Sequence, residues 1–414
     1  MCAAKRQGDR SARARRFSQG FTDSKPIPCS GAIPSVPVCP WACASSAAVD
    51  RAFVALPITA WNRKDRPNMR EANDRRGSCG YAGRGFTLIE LLVVVAIIAL
   101  LVGVLLPALG GARRSGYTLK CAQNMRNVAI AVNSYIAETE VYPPSYVYGS
   151  QQTGPTWREA DQLETNPNPA NGYVHWSYFV MGDGDKSVGD DAFTCPATHK
   201  GGAPRSNPGP DPDDWEPDQN NDLGQQQPSD FPEDRQAKRM AFTGNAAIFP
   251  RNKFSMQGSI RKNKLVKGAL VQGAASTILA TEFLESAGWK SVFDGYISKS
   301  HRPVTPFLGG SAGSDVFNEP EFGGQPRFFY PSEDSILPDG QLGEGMIVNA
   351  NSNLNAVGRH HDGGDRRVGG TANFLFVDGH VARMTVLKSV QDRLWGDRFY
   401  SLTGKNTAVS KDPL

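Results

Sequence analysis

Recognisable catalytic chemistry is scarce in this sequence. It has no H-E-x-x-H and no phosphate-binding P-loop, and no spacing of Ser, His and Asp argues for a triad, so the usual zinc-peptidase and nucleotide-hydrolase signatures are missing. Cysteine is scarce where it could matter. Of the seven, Cys2, Cys29, Cys39, Cys43 and Cys79 precede residue 85, which leaves Cys121 and Cys195. No CxxC pair or Cys/His cluster suggests zinc. Positive charge is also unevenly spread. The chain carries +4 and its first 85 residues +9, so residues 86–414 carry −5. An acidic remainder without a basic stripe speaks against nucleic acid as a partner. No internal repeat is evident.

Against this background one segment stands out. Residues 85–109 read GFTLIELLVVVAIIALLVGVLLPAL, and the 21 residues from Phe86 to Leu106 contain a single charge, Glu90. A helix of that length spans roughly 31 Å, the thickness of a bilayer's hydrocarbon core. A carboxylate near the start of such a helix is costly and calls for a partner. A plain signal anchor would let Glu90 snorkel toward the headgroups. A cleavable secretory signal would have a shorter apolar run with a small-x-small site after it.

Gly85, Phe86, Thr87, Leu88, Ile89, Glu90, the apolar run and Pro107 resemble the N-terminal signal of type IV prepilins and type II secretion pseudopilins. The resemblance implies that a membrane-embedded prepilin peptidase/methyltransferase cuts between Gly85 and Phe86 and N-methylates Phe86. It also implies that Glu90 serves filament assembly with other pilin-like subunits through the N-terminal helix. The residues fit those roles. Gly85 offers an unblocked extended backbone. The freed Phe86 amine of one subunit can lie beside Glu90 of its neighbour, a pairing that sets register more than it adds stability. The expected location is the inner membrane, single-pass in its lipid, with the basic leader cytoplasmic and the soluble domain in the periplasm or cell exterior.

Residues 1–85 are therefore a leader outside the fold. Its length departs from the short leaders of the family, and we expect translation to start at Met69, giving the 17-residue leader MREANDRRGSCGYAGRG. In an exported chain the remaining pair Cys121 and Cys195 suggests one disulfide. It would close a loop of about 75 residues, worth about 3–4 kcal/mol in loop-closure entropy; two separate thiols are the alternative.

Beyond Pro107, Gly110-Gly111 is a soft point, after which Cys121, Met125, Val128, Val132, Tyr135 and Ile136 form one apolar stripe. The spine helix is thus expected over about Phe86 to Ala137, with Pro143-Pro144 ending it. Residues 86–109 form its transmembrane half and 110–138 its soluble half. A coiled-coil seam is the alternative for the stripe. Residues 139–414 are expected to be loop-rich and β-rich, with strand-like runs at 173–181, 240–249, 268–272, 277–283, 345–350, 373–379 and 380–387. The polar, proline-rich residues 203–234 suggest a mobile surface loop. The fold class is α+β: a long N-terminal spine helix packed on an antiparallel β-sheet with long loop insertions, the pilin-like plan.

The run RHHDGGDRRVGGTANFLFVDGHVARM at 359–384 resembles the C-terminal signature of a large group of prepilin-type proteins, a His, nine residues, then Asp-Gly. Gly369, Gly370, Asn373, Phe374, Phe376, Asp378, Gly379, His380 and Val381 fit it. The spacing does not, since 16 residues separate His361 from Asp378 and 17 separate His360. The excess points to a loop insertion near DGGDRRV and leaves open which histidine is the counterpart. Cys195-Pro196 and the Cys121–Tyr135 run fit the same group. The residues themselves read as a hairpin turning at Asp378-Gly379, with FLFV buried on both faces or at an interface.

No catalytic residue and no cofactor is expected, and no metal. His360, His361, Asp378 and His380 could be drawn together around an ion, but an Asp-Gly turn explains Asp378 without one. GDGDKSVGDD at 182–191 fails the calcium-loop pattern. Glu282 and Glu285 are paired carboxylates without a recognisable reaction. Trp176, Trp215, Trp289 and Trp395 serve either a carbohydrate surface or the core. Two functions follow: a pseudopilin or prepilin-like subunit of a type II secretion or type IV pilus-like system, or a membrane-anchored extracytoplasmic binding module for glycan or cargo that uses the signal only for export.

Overall fold

The computed structural model describes residues 85–148, 172–181, 188–226, 233–251, 263–285, 288–309 and 328–401, with the backbone of the strand Thr407–Ser410. Residues 1–84 of the leader, with Met69 and five cysteines, lie outside the described residues, as do positions 182–187 of the acidic run.

Helix α1 runs from Leu88 to Thr139, 52 residues without interruption, roughly 78 Å at the helical rise. It passes through Pro107 and the Gly110-Gly111 pair rather than breaking there. Its two halves differ in environment. The apolar half is open to its surroundings, with Leu88 78% and Leu109 67% exposed, and its most apolar 18-residue window has a mean hydropathy of 3.2 and no burial. The second half buries Thr118, Cys121, Asn124, Met125, Val128, Ala129, Ala131 and Val132. These fall at spacings of three and four on one face, the expected stripe. The helix stops before the prolines, at Glu140, whose left-handed backbone (φ 63°) lets its N–H donate to the Ile136 carbonyl at 2.8 Å. That geometry is a C-terminal cap.

The buried half lies on a five-stranded antiparallel sheet. Its strands are β1 (Phe242–Gly244), β2 (Ile278–Glu282), β3 (His361–Asp365), β4 (Gly369–Phe376) and β5 (Val381–Met384). The order is β3-β4-β2-β1, and β5 also pairs with β4. β4 is the hub, with Phe374 opposite Thr281 of β2 and Ala382 of β5. Phe374, Leu375 and Phe376 are all buried, as the unbroken FLF run demands of a strand covered on both faces. Smaller ribbons surround this sheet, and one of their pairings, Phe328–Phe329 with Thr407–Ser410, is parallel.

Several short runs fold otherwise than expected. After a strand at Tyr173–His175, residues Trp176–Met181 form helix α2; Trp176 and Val180, four apart, both enter the core. GALVQ becomes a 3-10 turn at Gly268–Leu270. GMIVNA becomes a turn, opened by Gly345 at φ 70° and closed by the Asn349 N–H on the Gly345 carbonyl at 2.7 Å. Thr385 ends the last expected strand by capping helix α3 (Val386–Gln391).

The expected mobile loop at 203–234 is corrected by residues 203–226 and 233–234, which are built into the domain. Ala203–Pro204 pairs with Arg239–Met240. Asp234 is buried and accepts from the Tyr173 N–H at 2.9 Å and from Asn207 N and Nδ2 at 2.8 Å each. Gln219 donates to the Arg205 carbonyl at 2.7 Å. The polarity that suggests solvation goes into hydrogen bonds between segments 14 to 61 positions apart, which replace a strand ladder.

Candidate functional site: the helix start and a buried glutamate beneath the spine

At the start of α1, Gly85 is exposed and nothing approaches within 4 Å of where a side chain would begin. Phe86 is 73% exposed. Thr87 caps the helix. Its hydroxyl accepts from the Glu90 N–H at 3.2 Å, while Glu90 Oε2 accepts from the Thr87 N–H and hydroxyl, each at 2.9 Å. This reciprocal capping box satisfies two end groups of the helix. Within a single chain Glu90 therefore already has a partner, which a reading of Glu90 as awaiting a neighbour's amine had not anticipated.

A second constellation lies where α1 crosses the sheet. Glu282, the last residue of β2, has a side chain with no exposure at all. Its Oε1 receives His361 Nε2 and Asn373 Nδ2, both at 3.0 Å, and its Oε2 receives the Asn373 N–H at 2.8 Å. His360 Nε2 stands 3.5 Å from Oε2. On the helix side, Thr118 Oγ1 donates to the Arg114 carbonyl and meets His361 Nδ1, each at 3.1 Å. Asn373 Nδ2 also reaches the Thr118 carbonyl at 3.4 Å. The disulfide joining Cys121 of α1 to Cys195 borders the cluster. Cys195 Sγ lies 3.6 Å from His360 Nε2 and 4.0 Å from His361 Nε2. Asn124, one turn along, donates to the Asp191 and Thr194 carbonyls at 3.1 and 2.8 Å and fixes the segment that carries Cys195.

Electrostatics explains how a charge survives here. Burial pushes the Glu282 carboxyl up, but the facing imidazoles of His360 and His361 and the Asn373 N–H outweigh it and hold it below its ordinary value. Burial pushes His360 down, against the pull of Glu282. The net effect is a carboxylate held by hydrogen-bond donors, which ties β2, β3 and β4 to the spine.

The residues expected from sequence to act together at the C-terminal end divide. His360, His361 and Asn373 converge on Glu282. Asp378 and His380 do not join them. Asp378 Oδ1 accepts from the His380 N–H at 3.1 Å and contacts its Nδ1 at 2.6 Å, at an exposed turn. That turn has three residues, Val377 to Gly379, rather than two. Gly379 sits at φ 90°, its N–H donates to the Phe376 carbonyl, and the Phe376 N–H donates to His380. Glu282 and Glu285 are not a pair: Glu285 accepts from the His199 backbone N–H at 2.5 Å. Trp176 and Trp395 are core residues at 1% exposure, while Trp215 and Trp289 are half-buried. Sequence reasoning missed Thr118 and the central place of Glu282. An acid at the end of the strand ILATE is no distinctive signal by itself. It also passed over one run, Gly309-Gly310-Ser311-Ala312-Gly313, that spells G-x-S-x-G. Residues 310–313 lie outside the described residues.

Comparison with known proteins bears on the first site. The family described as the prokaryotic N-terminal methylation motif matches residues 82–106. The chain is 32% identical over 100 residues to the type II secretion system core protein G of Pectobacterium carotovorum subsp. carotovorum. That match covers 24% of this chain and 61% of the relative's length. No solved structure matches. The chain is thus prepilin-like at its N-terminus and resembles a secretion pseudopilin, with a helix long and apolar enough to cross a membrane.

Proposed function

We propose that this chain is a pseudopilin-like subunit of a type II secretion or type IV pilus-like system. The prepilin peptidase/methyltransferase cuts it between Gly85 and Phe86 and methylates the new amine. Residues 86–106 hold it in the inner membrane, and its soluble domain projects from the cytoplasm. The observation that carries this reading is one unbroken helix with two environments. An uncovered apolar half begins at Phe86 with Glu90 in its first turn, and a buried half is riveted to the domain.

In the monomer the carboxylate of Glu90 is engaged by Thr87. In a filament the Phe86 amine of a neighbour competes for its free lone pairs, and a charged donor in low dielectric prevails over neutral ones. The capping box therefore carries the acid through the membrane until a second copy arrives. The protein's role is structural, and no step of catalysis is assigned to it. The alternative, a glycan-binding module, loses support from the buried positions of Trp176 and Trp395.

Mass spectrometry of the protein purified from its native membrane tests the proposal. The expected mature N-terminus is N-methylated Phe86. A mature chain that retains the residues before Phe86 overturns it.

A further inference from the structure

The cluster around Glu282 contains more than a structural clamp requires. His360 has a side chain only 9% exposed, yet its Nδ1 has no hydrogen-bond partner among the described residues. Its Nε2 points at the Glu282 carboxylate and at Cys195 Sγ from 3.5 and 3.6 Å, long distances for hydrogen bonds. A buried imidazole held so loosely earns little as a strut. One ligand atom each from Cys121, Cys195, Glu282 and His361 lies within 4.8 Å of all the others, and all four residues are buried.

The geometry points to a second state of this cluster. When the Cys121–Cys195 bond is open, the two thiolates, His361 Nε2 and Glu282 form a buried tetrahedral site for a zinc-class divalent cation, with His360 beside it. Disulfide and metal are then mutually exclusive.

The donor set fits that ion. Zinc takes thiolate at about 2.3 Å and imidazole nitrogen or carboxylate oxygen at about 2.0–2.2 Å, which places tetrahedral neighbours about 3.3–3.8 Å apart. His361 Nε2 and Glu282 Oε1 are 3.0 Å apart, and Cys195 Sγ and His361 Nε2 are 4.0 Å apart. These two pairs need sub-ångström shifts, and the other donors lie within 4.8 Å of one another. The outer partners are also in place. Thr118 meets the far nitrogen of His361, and the Asn373 N–H holds Oε2 of Glu282. Such partners orient metal ligands. The two thiolates and the carboxylate give the bound ion a net charge of −1.

The redox step balances with a trialkylphosphine as reductant. The S–S bond breaks, the phosphine becomes its oxide with oxygen from water, and two protons from that water leave two thiols. Metal binding then displaces both thiol protons to solvent. Both cysteines are fully buried, so the metal competes with oxidation most effectively while the domain is still folding.

The test uses the full chain in detergent micelles, with Cys2, Cys29, Cys39, Cys43 and Cys79 replaced by serine so that Cys121 and Cys195 are the remaining thiols. Oxidised and phosphine-reduced samples are titrated anaerobically with Co2+. The reduced chain is expected to bind one Co2+ with thiolate-to-cobalt charge transfer and tetrahedral d–d bands, and to release it to Zn2+. The oxidised chain is expected to show neither band. Cys195→Ser should remove about half of the charge-transfer intensity, one thiolate of two. If that variant does not fold, Glu282→Gln keeps both thiols and should shift the d–d bands while charge transfer remains. A reduced chain without charge transfer, equal spectra in both redox states, or unchanged d–d bands in Glu282→Gln overturns the proposal.

Discussion

Replacing Glu282 by alanine removes the acceptor on which three strands and the spine converge. The carboxylate is wholly buried and takes hydrogen bonds from His361 Nε2, Asn373 Nδ2 and the Asn373 N–H. The variant leaves three donors facing a small cavity. Each orphaned buried donor costs about 1–3 kcal/mol, and relaxation recovers part of the sum. Loss of one partner from a buried ionic pair costs about 3–5 kcal/mol, so about 4 kcal/mol is expected. At roughly 2–4 °C per kcal/mol for a domain of this order of size, the melting temperature falls by roughly 8–16 °C. Glu282→Gln keeps the volume, but its NH2 must face one of the three donors, and a loss of about 2 kcal/mol follows. The assay is urea and thermal unfolding of the full chain in micelles, with Asp378→Ala at the exposed turn as a control expected to match the parent. The wild-type advantage should also shrink in acid. The folded carboxyl is depressed, so its contribution is present above the ordinary carboxylate range and lost as pH falls through the folded value. Unfolding of Glu282→Ala within about 0.5 kcal/mol of wild type, or a constant difference down to strong acid, would refute the clamp.

Glu90→Ala should leave cleavage after Gly85 intact while co-purification with other pilin-like subunits disappears; N-terminal sequencing and pull-down from native membranes report the two separately. The Cys121→Ser/Cys195→Ser double variant should lose about 4 kcal/mol, from freeing a loop closed across 74 positions, read as a lower urea midpoint. Burial holds His175 and His301 well below the ordinary imidazole value and holds His360 below it too. The unfolded chain then takes up protons first, and stability falls as pH drops below about 6.5. Asp234, pushed up to about 7 by burial and by Asp222, acts in the opposite direction. Glu285, raised by burial, acts with Asp234; three imidazoles against these two carboxyls predict a lower denaturant midpoint at pH 5.5 than at pH 7.5, and a rise on acidification would contradict the assignment.

The parts of the fold that are legible in the sequence are those written in a local period. The long helix announces itself by an apolar run and then by the stripe Cys121, Met125, Val128 and Val132, all of which are buried. The hairpin at β4 and β5 announces itself by FLFV and Gly379. What could not be read depends on contacts distant in the chain. Glu282 meets residues 79 and 91 positions away, and no local pattern distinguishes it from an exposed acid at a strand end. The polar stretch 203–226 was misjudged for the same reason, because composition cannot tell a side chain solvated by water from one solvated by its own backbone.

The residues between His361 and Gly369 extend a hairpin at its outer end, away from the clamp. β3 carries only His361 inward, and Asp362 to Asp365 are exposed. His361 stays opposite Thr371, and the next inward residue of β4, Asn373, stays on Glu282. Buried Arg359 secures the hairpin from below through the Leu337 and Val368 carbonyls at 2.6 and 2.9 Å. A methyl group at Gly370 would run into the Arg359 carbonyl, so that glycine is what allows the two chains to close. Asp378 and His380 belong to a different turn, at the other end of β4. The chain distance between His361 and Asp378 can therefore vary without disturbing either the clamp or the turn, since the two share a strand and have no contact to preserve. Of the two adjacent histidines, His361 is the one whose imidazole is held on both nitrogens. His360, by contrast, is held through Nε2 alone among the described residues.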